Sequence, residues 1–318
     1  MSEKCAAFSR RGHAARQRIG AAWPRWLNGM NSLFVDLHCH STASDGTLAP
    51  AELVREAKRA GLSALSLTDH DTVAGVEQAS AEAKTLGIDF LAGIEISAEY
   101  PHPGTMHILG YGVDPQNPSL KSLTETLIAG RDNRNPRIVA RLNELGVSVS
   151  MQEWEAEAKG DVLGRPQLAA ILVRKGFVSS IKQAFDKYLG QRAPAYFDKE
   201  RLTPAQALER IRSAGGLPVL AHPVQLRTEN SAQLERVIKD LKDQGLDGIE
   251  TLHSDHDDAT IEQLTRLADK YSLLKTGGSD FHGGNKPDVR LGWARNRRIP
   301  RELFDVLMRK IGAADARG

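Results

Sequence analysis

From residue 33 onward, short apolar runs alternate with longer segments in which apolar residues recur every three or four positions. Short runs of this kind predict strands, and the periodic segments predict amphipathic helices. The predicted strands are 33–37, 64–67, 90–94, 106–110, 217–221, 248–252 and 273–276. The predicted helices between them are 50–60, 72–86, 203–214, 233–244 and 259–271. Alternating strands and helices indicate an α/β protein with a parallel sheet or barrel.

Residues from about 118 to 195 interrupt this alternation. The segment contains several helical patterns and no strand pattern, so we expect a helical insert that caps the substrate site. The expected organisation is a barrel formed by 33–117 and 196–318, with 118–195 inserted between its two parts.

Residues 1–32 differ from the rest of the chain in charge. The whole chain has a net charge of +2, but 1–32 alone carry +5, which leaves −3 for the remainder. The positive total is therefore weak evidence of nucleic-acid binding. We expect 1–32 to be a basic extension that is either disordered or upstream of the natural start. It lacks the apolar stretch of a secretory signal.

The composition argues against two other classes of protein. No segment approaches the ~20 consecutive apolar residues that cross a bilayer. Cys5 and Cys39 are too few for a disulfide framework. With 41% hydrophobic and 26% charged residues, the chain has the composition of an ordinary enzyme. We expect a cytoplasmic location, no membrane segment and no obligate protein partner.

Histidines and acids follow the ends of the predicted strands. The carboxyl ends of strands converge at one mouth of a barrel, and residues two apart on a strand point the same way. Mixed nitrogen and oxygen ligands favour Mn, Fe or Zn over Ca or Mg. Nine such groups are too many for one ion, so we expect two or three metals. The nine are His38, His40, Asp45, His70, Glu95, His107, His222, Asp280 and His282.

The other histidines have simpler explanations. His13 lies in the extension and His102 in a proline-rich loop. His256 stands among three aspartates, which predicts a solvated helix start. His253 follows a predicted strand, and the sequence leaves open whether it faces the site.

Five short motifs follow one another along the chain: Asp36-Leu37-His38-Cys39-His40-Ser41, Thr68-Asp69-His70, Gly93-Ile94-Glu95, Ala221-His222-Pro223 and Gly278-Ser279-Asp280-Phe281-His282. In this order they resemble the motifs of the PHP (polymerase and histidinol phosphatase) family. The resemblance covers roughly 33–297 and implies a distorted seven-stranded (β/α) TIM-like barrel with a trinuclear metal centre. Manganese is the first candidate, with Fe, Zn or Mg as alternatives.

The resemblance also implies how the ligands are shared among the metals. Asp45 stands where many relatives have a histidine, which makes one site richer in oxygen. The implied ligand sets are His38, His40, Glu95 and Asp280 for one metal; Glu95, His107 and His222 for a second; and Asp45, His70 and His282 for a third.

The insert narrows the resemblance to one branch of the family. Ser44-Asp45-Gly46 and the helical insert resemble the branch with 3′,5′-nucleotide bisphosphate phosphatases and a 5′-to-3′ exoribonuclease. Arg131, Arg134 and Arg137 recur at three-residue spacing, and Arg165 precedes a proline. The resemblance implies that the substrate is bound by Arg131, Arg134 and Arg165, and we assign His253 to the same role. A solvated helix face remains the alternative for the arginine stripe.

We therefore expect a metal-dependent phosphoesterase that converts nucleoside 3′,5′-bisphosphates to 5′-monophosphates, or shortens 5′-phosphorylated RNA. Its partners would be nucleotides or short RNA. The expected catalytic groups are Asp45, His70, His282 and Asp69. Asp69 and Asp71 are expected to hold ligand imidazoles. The alternatives are a histidinol-phosphatase-type monoesterase, a nucleic-acid-associated PHP module with a vestigial site, and an amide hydrolase.

Overall fold

Seven strands form one sheet, in which each strand pairs with the next one along the chain. The computed structural model describes residues 33–101, 103–157, 162–198 and 201–315, so the predicted extension, His13 and His102 lie outside the described residues. The strands are β1 Phe34–Asp36, β2 Leu62–Leu67, β3 Asp89–Ala98, β4 Met106–Tyr111, β5 Leu217–Leu220, β6 Gly248–Leu252 and β7 Leu274–Gly277. The predicted α/β class is confirmed.

β4 runs against both of its neighbours, whereas the other pairs of adjacent strands are parallel. The connection from β3 is only 99–105, too short for the crossover of about a dozen residues that a parallel pair needs. The reversal puts the first residues of β4 at the same rim as the carboxyl ends of its neighbours. Ser97, near the end of β3, pairs with His107 near the start of β4.

The two edges of the sheet meet beyond the ends of β1 and β7. The Leu37 N–H donates to the Gly277 carbonyl (3.3 Å), and the Asp280 N–H donates to the His38 carbonyl (2.8 Å). Gly278 allows this close approach, because a Cβ there would lie 2.0 Å from the His38 Cβ. The chain therefore forms the TIM-like arrangement that the sequence predicts.

Helices cover the outside of the sheet and have conventional ends. For example, Thr203 caps one helix: its hydroxyl accepts the Gln206 N–H, and the Gln206 side chain accepts the Thr203 N–H. These helices are α1 Pro50–Arg59, α2 Val76–Leu86, α7 Pro204–Ser213, α8 Ser231–Asp243, α9 Asp258–Lys270 and α10 Arg301–Asp315. A short hairpin, β8 Trp293–Ala294 and β9 Arg297–Arg298, precedes α10.

In the described part of the chain, four helices stand between β4 and α7, where the sequence predicts the insert. Trp154, fully buried, donates its indole N–H to the Gly164 carbonyl at the centre of a separate apolar core. The helices are α3 Pro118–Glu144, α4 Met151–Glu157, α5 Arg165–Arg174 and α6 Ile181–Ala184, with a π-helical turn at Phe185–Leu189.

α3 belongs to both cores. Its first half packs Leu120 and Leu127 into the barrel core, and its second half packs Ile138 and Leu142 into the core of the insert. Pro136 lies close to the passage from one core to the other; it has no N–H to donate within the helix. In the described part of the chain, no helix has both the length and the apolar character needed to cross a membrane.

Candidate metal centre and substrate cavity

Glu95, fully buried on β3, is the centre of the histidine cluster. Burial alone would raise the pKa of Glu95, but the imidazoles of His70, His38 and His107 hold it well below its ordinary value. Both carboxylate oxygens are therefore available as anionic ligands. They lie 2.8–3.2 Å from ring nitrogens of His38, His40, His70, His107 and His222.

The strand geometry explains this convergence. His38 and His40 follow β1 two residues apart and point to the same side. His107 reaches the rim because β4 is reversed. His222 lies two residues after the end of β5, and the intervening Ala221 donates its N–H to the His107 carbonyl (3.1 Å).

Asp280 completes the ligand set that the sequence predicts for one metal. Its Oδ1 lies 3.6 Å from His38 Nε2 and 3.3 Å from His40 Nε2. Glu95 Oε2 lies 3.2 Å from each of these two nitrogens. The four donors therefore surround a common space.

Asp45, His70 and His282 also come together, as predicted for another metal. Asp45 Oδ1 lies 3.2 Å from His282 Nε2, and Asp45 Oδ2 lies 3.9 Å from His70 Nε2. His40 joins this group through Nδ1, 3.9 Å from Asp45 Oδ1. Burial alone would raise the pKa of Asp45, but His282 and His70 hold it well below its ordinary value.

The donor atoms of the cluster fit divalent cations. Buried polar atoms are normally hydrogen-bonded, because leaving one unpaired costs about 1–3 kcal/mol. Several buried atoms here have no hydrogen-bond partner among the residues that the structure describes, and neighbouring ones lie close enough to share an ion. Cations would satisfy them, and the mixture of nitrogen and oxygen suits Mn, Fe or Zn. These atoms are His38 Nε2, both ring nitrogens of His40, His70 Nδ1, Glu95 Oε2 and His222 Nδ1.

Two residues of the cluster have strained backbones. His222 has φ 26° and Asp280 has φ 60°, although neither is glycine. Positive φ at such residues costs on the order of 1–3 kcal/mol and is concentrated at functional sites. The fold therefore maintains an unfavourable conformation at the residues that carry the donor atoms.

Glu250, on β6, is a functional candidate that the sequence interpretation missed. It is fully buried, with Oε1 3.0 Å from His38 Nδ1, while Oε2 accepts the His222 N–H (2.8 Å). The first contact turns His38 so that Nε2 faces Glu95 and Asp280. The sequence does contain a signal for Glu250: it is an acid within the apolar run 248–252, and a buried carboxylate needs a partner.

Replacing Glu250 with glutamine is expected to weaken Mn²⁺ binding roughly 10–100-fold, the usual effect of losing a group that orients a ligand. Glutamine keeps one acceptor for His38 but cannot accept the His222 N–H with its amide nitrogen. Titration calorimetry of the metal-free protein with Mn²⁺ measures the change. Glu262→Gln, exposed on α9, is the control. Equal Mn²⁺ affinity in both variants would mean that Glu250 serves only the fold.

Asp69 does not hold an imidazole, so that expectation was wrong. Its carboxylate accepts the Ser41 N–H (2.8 Å) and the hydroxyls of Ser41 (2.7 Å) and Ser44 (2.5 Å). The end of β2 faces the loop after β1, so Asp69 fixes the loop that carries Asp45. Asp71, the neighbouring candidate, accepts the Ser97 N–H and pairs with an arginine of the insert.

The structure places His253 behind the candidate metal donors. His253 is fully buried; its Nδ1 accepts the Asp255 N–H, so the ring proton is on Nε2, 3.5 Å from Asp280 Oδ2. It therefore contacts the carboxylate of a candidate donor, and it is not among the residues that line the cavity described below, to which the sequence interpretation assigned it.

The expected solvated position of His256 was wrong. The ring is buried, Nδ1 donates to the Thr251 carbonyl (3.0 Å), and burial lowers its pKa to about 4. Its aspartate neighbours suggested solvent, but the chain turns the ring inward against His253.

One cavity of about 400 Å³ connects the metal donors with the insert. Arg201, just after the insert, and Lys286 join its lining, although the sequence interpretation named neither. Arg137 is not among the lining residues, because its guanidinium stacks on Phe197 (4.4 Å). Lining groups with ionisable side chains include Asp45, His70, His107, His282, Arg131, Arg134, Arg165, Arg201 and Lys286.

The arginines in this cavity have different roles. Arg131 forms a buried ion pair with Asp71 (2.5 Å), which ties α3 to the barrel rim. Arg165 donates to the Leu189 carbonyl and lies over the Tyr196 ring. Arg134 is buried and donates to the neighbouring Asn135 side chain.

Arg134 is an incompletely neutralised cation. Burial, followed by the charges of Arg131 and Arg165, lowers its pKa to about 9. Among the described residues, no carboxylate forms an ion pair with it. A buried guanidinium in a cationic surrounding is a binding site for an anion.

Comparison with known proteins gives consistent matches. A family model described as PHP domain matches residues 36–199. A 5′-3′ exoribonuclease from Haemophilus influenzae is 38% identical over 78% of this chain and 89% of that protein. A 3′,5′-nucleoside bisphosphate phosphatase from Chromobacterium violaceum is 33% identical over 86% of this chain and 98% of that protein. A solved structure from Bifidobacterium adolescentis, described as a metal-dependent phosphoesterase, has a TM-score of 0.79 and 29% identity, covering 87% of this chain and 96% of that one.

Proposed function

The chain belongs to the PHP domain family and is a metal-dependent phosphoesterase, and on that premise we propose that it removes the 3′-phosphate of nucleoside 3′,5′-bisphosphates. The products are the nucleoside 5′-monophosphate and inorganic phosphate. The observation that carries this proposal is the shared cavity: metal donors line one part of it, and the unneutralised guanidinium of Arg134 lines another. A substrate with two phosphates matches two separate anion sites.

The metals are assigned as the family resemblance implies, with manganese as the first candidate. When bound, divalent cations neutralise the phosphoryl charge and lower the pKa of an attacking water. The proposed ligands are His38, His40, Glu95 and Asp280 for one ion; Glu95, His107 and His222 for the second; and Asp45, His70 and His282 for the third. The closeness of each set supports this assignment.

The protein's own contribution is orientation. Arg134 and Arg165 bind the phosphate that does not react, and a planar guanidinium can pair with two phosphate oxygens. Arg131 acts indirectly, since its ion pair with Asp71 holds α3 at the rim. Binding energy from the remote phosphate then positions the 3′-phosphate at the metal donors. The enzyme needs no serine or cysteine nucleophile.

Cleavage of 5′-phosphorylated RNA fits the same cavity. The arginines would bind the terminal 5′-phosphate, and the first phosphodiester would occupy the position of the 3′-phosphate. A cavity of about 400 Å³ admits about one nucleotide, which supports removal of nucleotides one at a time from the end. The proposal places this activity in the cytoplasm, where nucleotide and RNA pools occur.

The alternatives account for fewer of these features. A histidinol-phosphatase-type monoesterase has no second phosphate for Arg134 and Arg165 to bind. A vestigial module would have lost ligands, whereas all nine predicted donors lie in one cluster. Release of inorganic phosphate from the bisphosphate separates the phosphoesterase from an amide hydrolase.

Arg134→Ala is expected to lower kcat/KM for a nucleoside 3′,5′-bisphosphate at least tenfold, since a lost charge-assisted contact costs about 1.5–3 kcal/mol. Hydrolysis of an aryl phosphate should change little, because that ester has no second phosphate. Arg137→Ala is the matched control from the same helix, outside the cavity. Equal losses on both substrates would show that Arg134 serves the fold or the metals, and would refute the two-phosphate proposal.

A further inference from the structure

Lys286 brings an ammonium group into the cavity, in addition to the guanidinium groups of the arginines. It lines the cavity together with the candidate metal donors. It follows a 3₁₀ turn, Gly283–Asn285, which is fixed to the loop after β1. Asn285 Nδ2 donates to the Asp45 carbonyl (2.8 Å), and the Gly284 N–H donates to Thr47 Oγ1 (2.9 Å). The backbone that carries Lys286 is thus fixed relative to a proposed metal ligand.

The ammonium group contacts the outer oxygen of Asp280. Nζ lies 2.5 Å from Asp280 Oδ2, whereas Oδ1 faces His38 and His40. Because the two oxygens of Asp280 face different partners, Lys286 and a metal do not compete for the same atom. Lys286 therefore remains beside the metal position when Asp280 acts as a ligand.

Lys286 also has free capacity for an anion. An ammonium has three N–H donors, of which the contact with Asp280 uses one. Its side chain is 40% exposed and lines the cavity together with His70 and His282. A phosphoryl group bound beside these imidazoles would share the cavity with the remaining donors.

We propose that Lys286 is a catalytic residue that binds the phosphoryl group undergoing hydrolysis, while Arg134 and Arg165 bind the phosphate that does not react. The proposal rests on the phosphoesterase activity proposed above, although it does not depend on the identity of the nucleotide. A mobile point charge can follow the phosphoryl oxygens as they rearrange, whereas a guanidinium favours a fixed, planar partner.

The test compares Lys286→Met with Lys239→Met, an exposed lysine that pairs with Asp243 on α8. We expect Lys286→Met to lower kcat/KM for the bisphosphate and for the aryl phosphate by similar factors of roughly 10–150, the range for one charge-assisted hydrogen bond. In the Mn²⁺-loaded protein, calorimetry should show inorganic phosphate binding weakened by a similar factor. Mn²⁺ content should be unchanged, and the control should match the parent protein.

Two results would overturn the proposal. Unchanged phosphate affinity would show that Lys286 does not touch the phosphoryl group. A loss of Mn²⁺ would show that it positions Asp280 instead. If Lys286→Met does not fold, Lys286→Gln is subject to the same measurements and the same two outcomes. If the parent protein hydrolyses only the aryl phosphate, the bisphosphate proposal fails, and the aryl ester and inorganic phosphate still test Lys286.

Discussion

Replacing Glu95 with glutamine is expected to reduce kcat/KM at least ~1,000-fold, equivalent to about 4 kcal/mol of activation free energy. Glu95 has ring nitrogens of five histidines within 3.2 Å of its oxygens, and it is the only residue assigned to two metals. Glutamine preserves the shape but removes the negative charge. It also replaces one acceptor oxygen with an NH₂ group that cannot bind a cation.

The variant should fold and should lose metal. Steady-state kinetics with the aryl phosphate, together with elemental analysis of the purified protein, measure both effects. Glu99→Gln provides the control, since Glu99 is exposed just beyond the end of β3. More than a tenth of the parent activity in Glu95→Gln would contradict the central role assigned to this carboxylate.

Asp45→Ala and His282→Ala are each expected to lower turnover at least ~100-fold, or about 2.7 kcal/mol of barrier. The two residues come from different loops and approach to 3.2 Å, so either change opens the same proposed metal position. The aryl phosphate is the appropriate substrate, because it reports the reacting end of the cavity alone. Asp288→Ala, exposed on the loop after β7, is the control.

Chelation completes this test. A strong chelator should abolish activity in the parent protein, and added Mn²⁺ should restore it. The same addition should not rescue Asp45→Ala fully, because its ligand is missing. Full activity in the presence of the chelator would exclude a metal-dependent mechanism.

The predicted metal donors could be found from the sequence because strand ends impose their own geometry. His38 and His40 share a direction by the alternation of a strand, and parallel strands deliver their ends to one rim. The position of His107 does not follow from this rule, because His107 lies at the start of its strand and not at the carboxyl end. The reversal of its strand was not predicted from the sequence; the seven residues of 99–105, which join β3 to β4 in the structure, are too few for a parallel crossover.

Contacts that depend on the path of a turn or on side-chain packing could not be found in this way. Lys286 meets Asp280 only through the turn after His282, and Arg201 enters the cavity from beyond the insert. His256 misled the interpretation, because local polarity indicated solvent while the packing of the ring against His253 decided its burial. Arg137 follows Arg131 and Arg134 at the same three-residue spacing, but its guanidinium stacks on Phe197 and does not line the cavity.

The length of α3 determines where Arg134 lies relative to the barrel. Its start is fixed at the far end of the barrel, where Asn117 donates to the Ser213 carbonyl at the end of α7. At 1.5 Å per residue, the helix rises about 20 Å before Arg131 pairs with Asp71 at the rim. The distance between Arg134 and the metal donors is therefore set by a count of residues along one helix. An added turn before Arg134 would shift its guanidinium by about 5.4 Å along the helix, so the length of α3 would change the spacing of the two phosphates that the proposed site accepts.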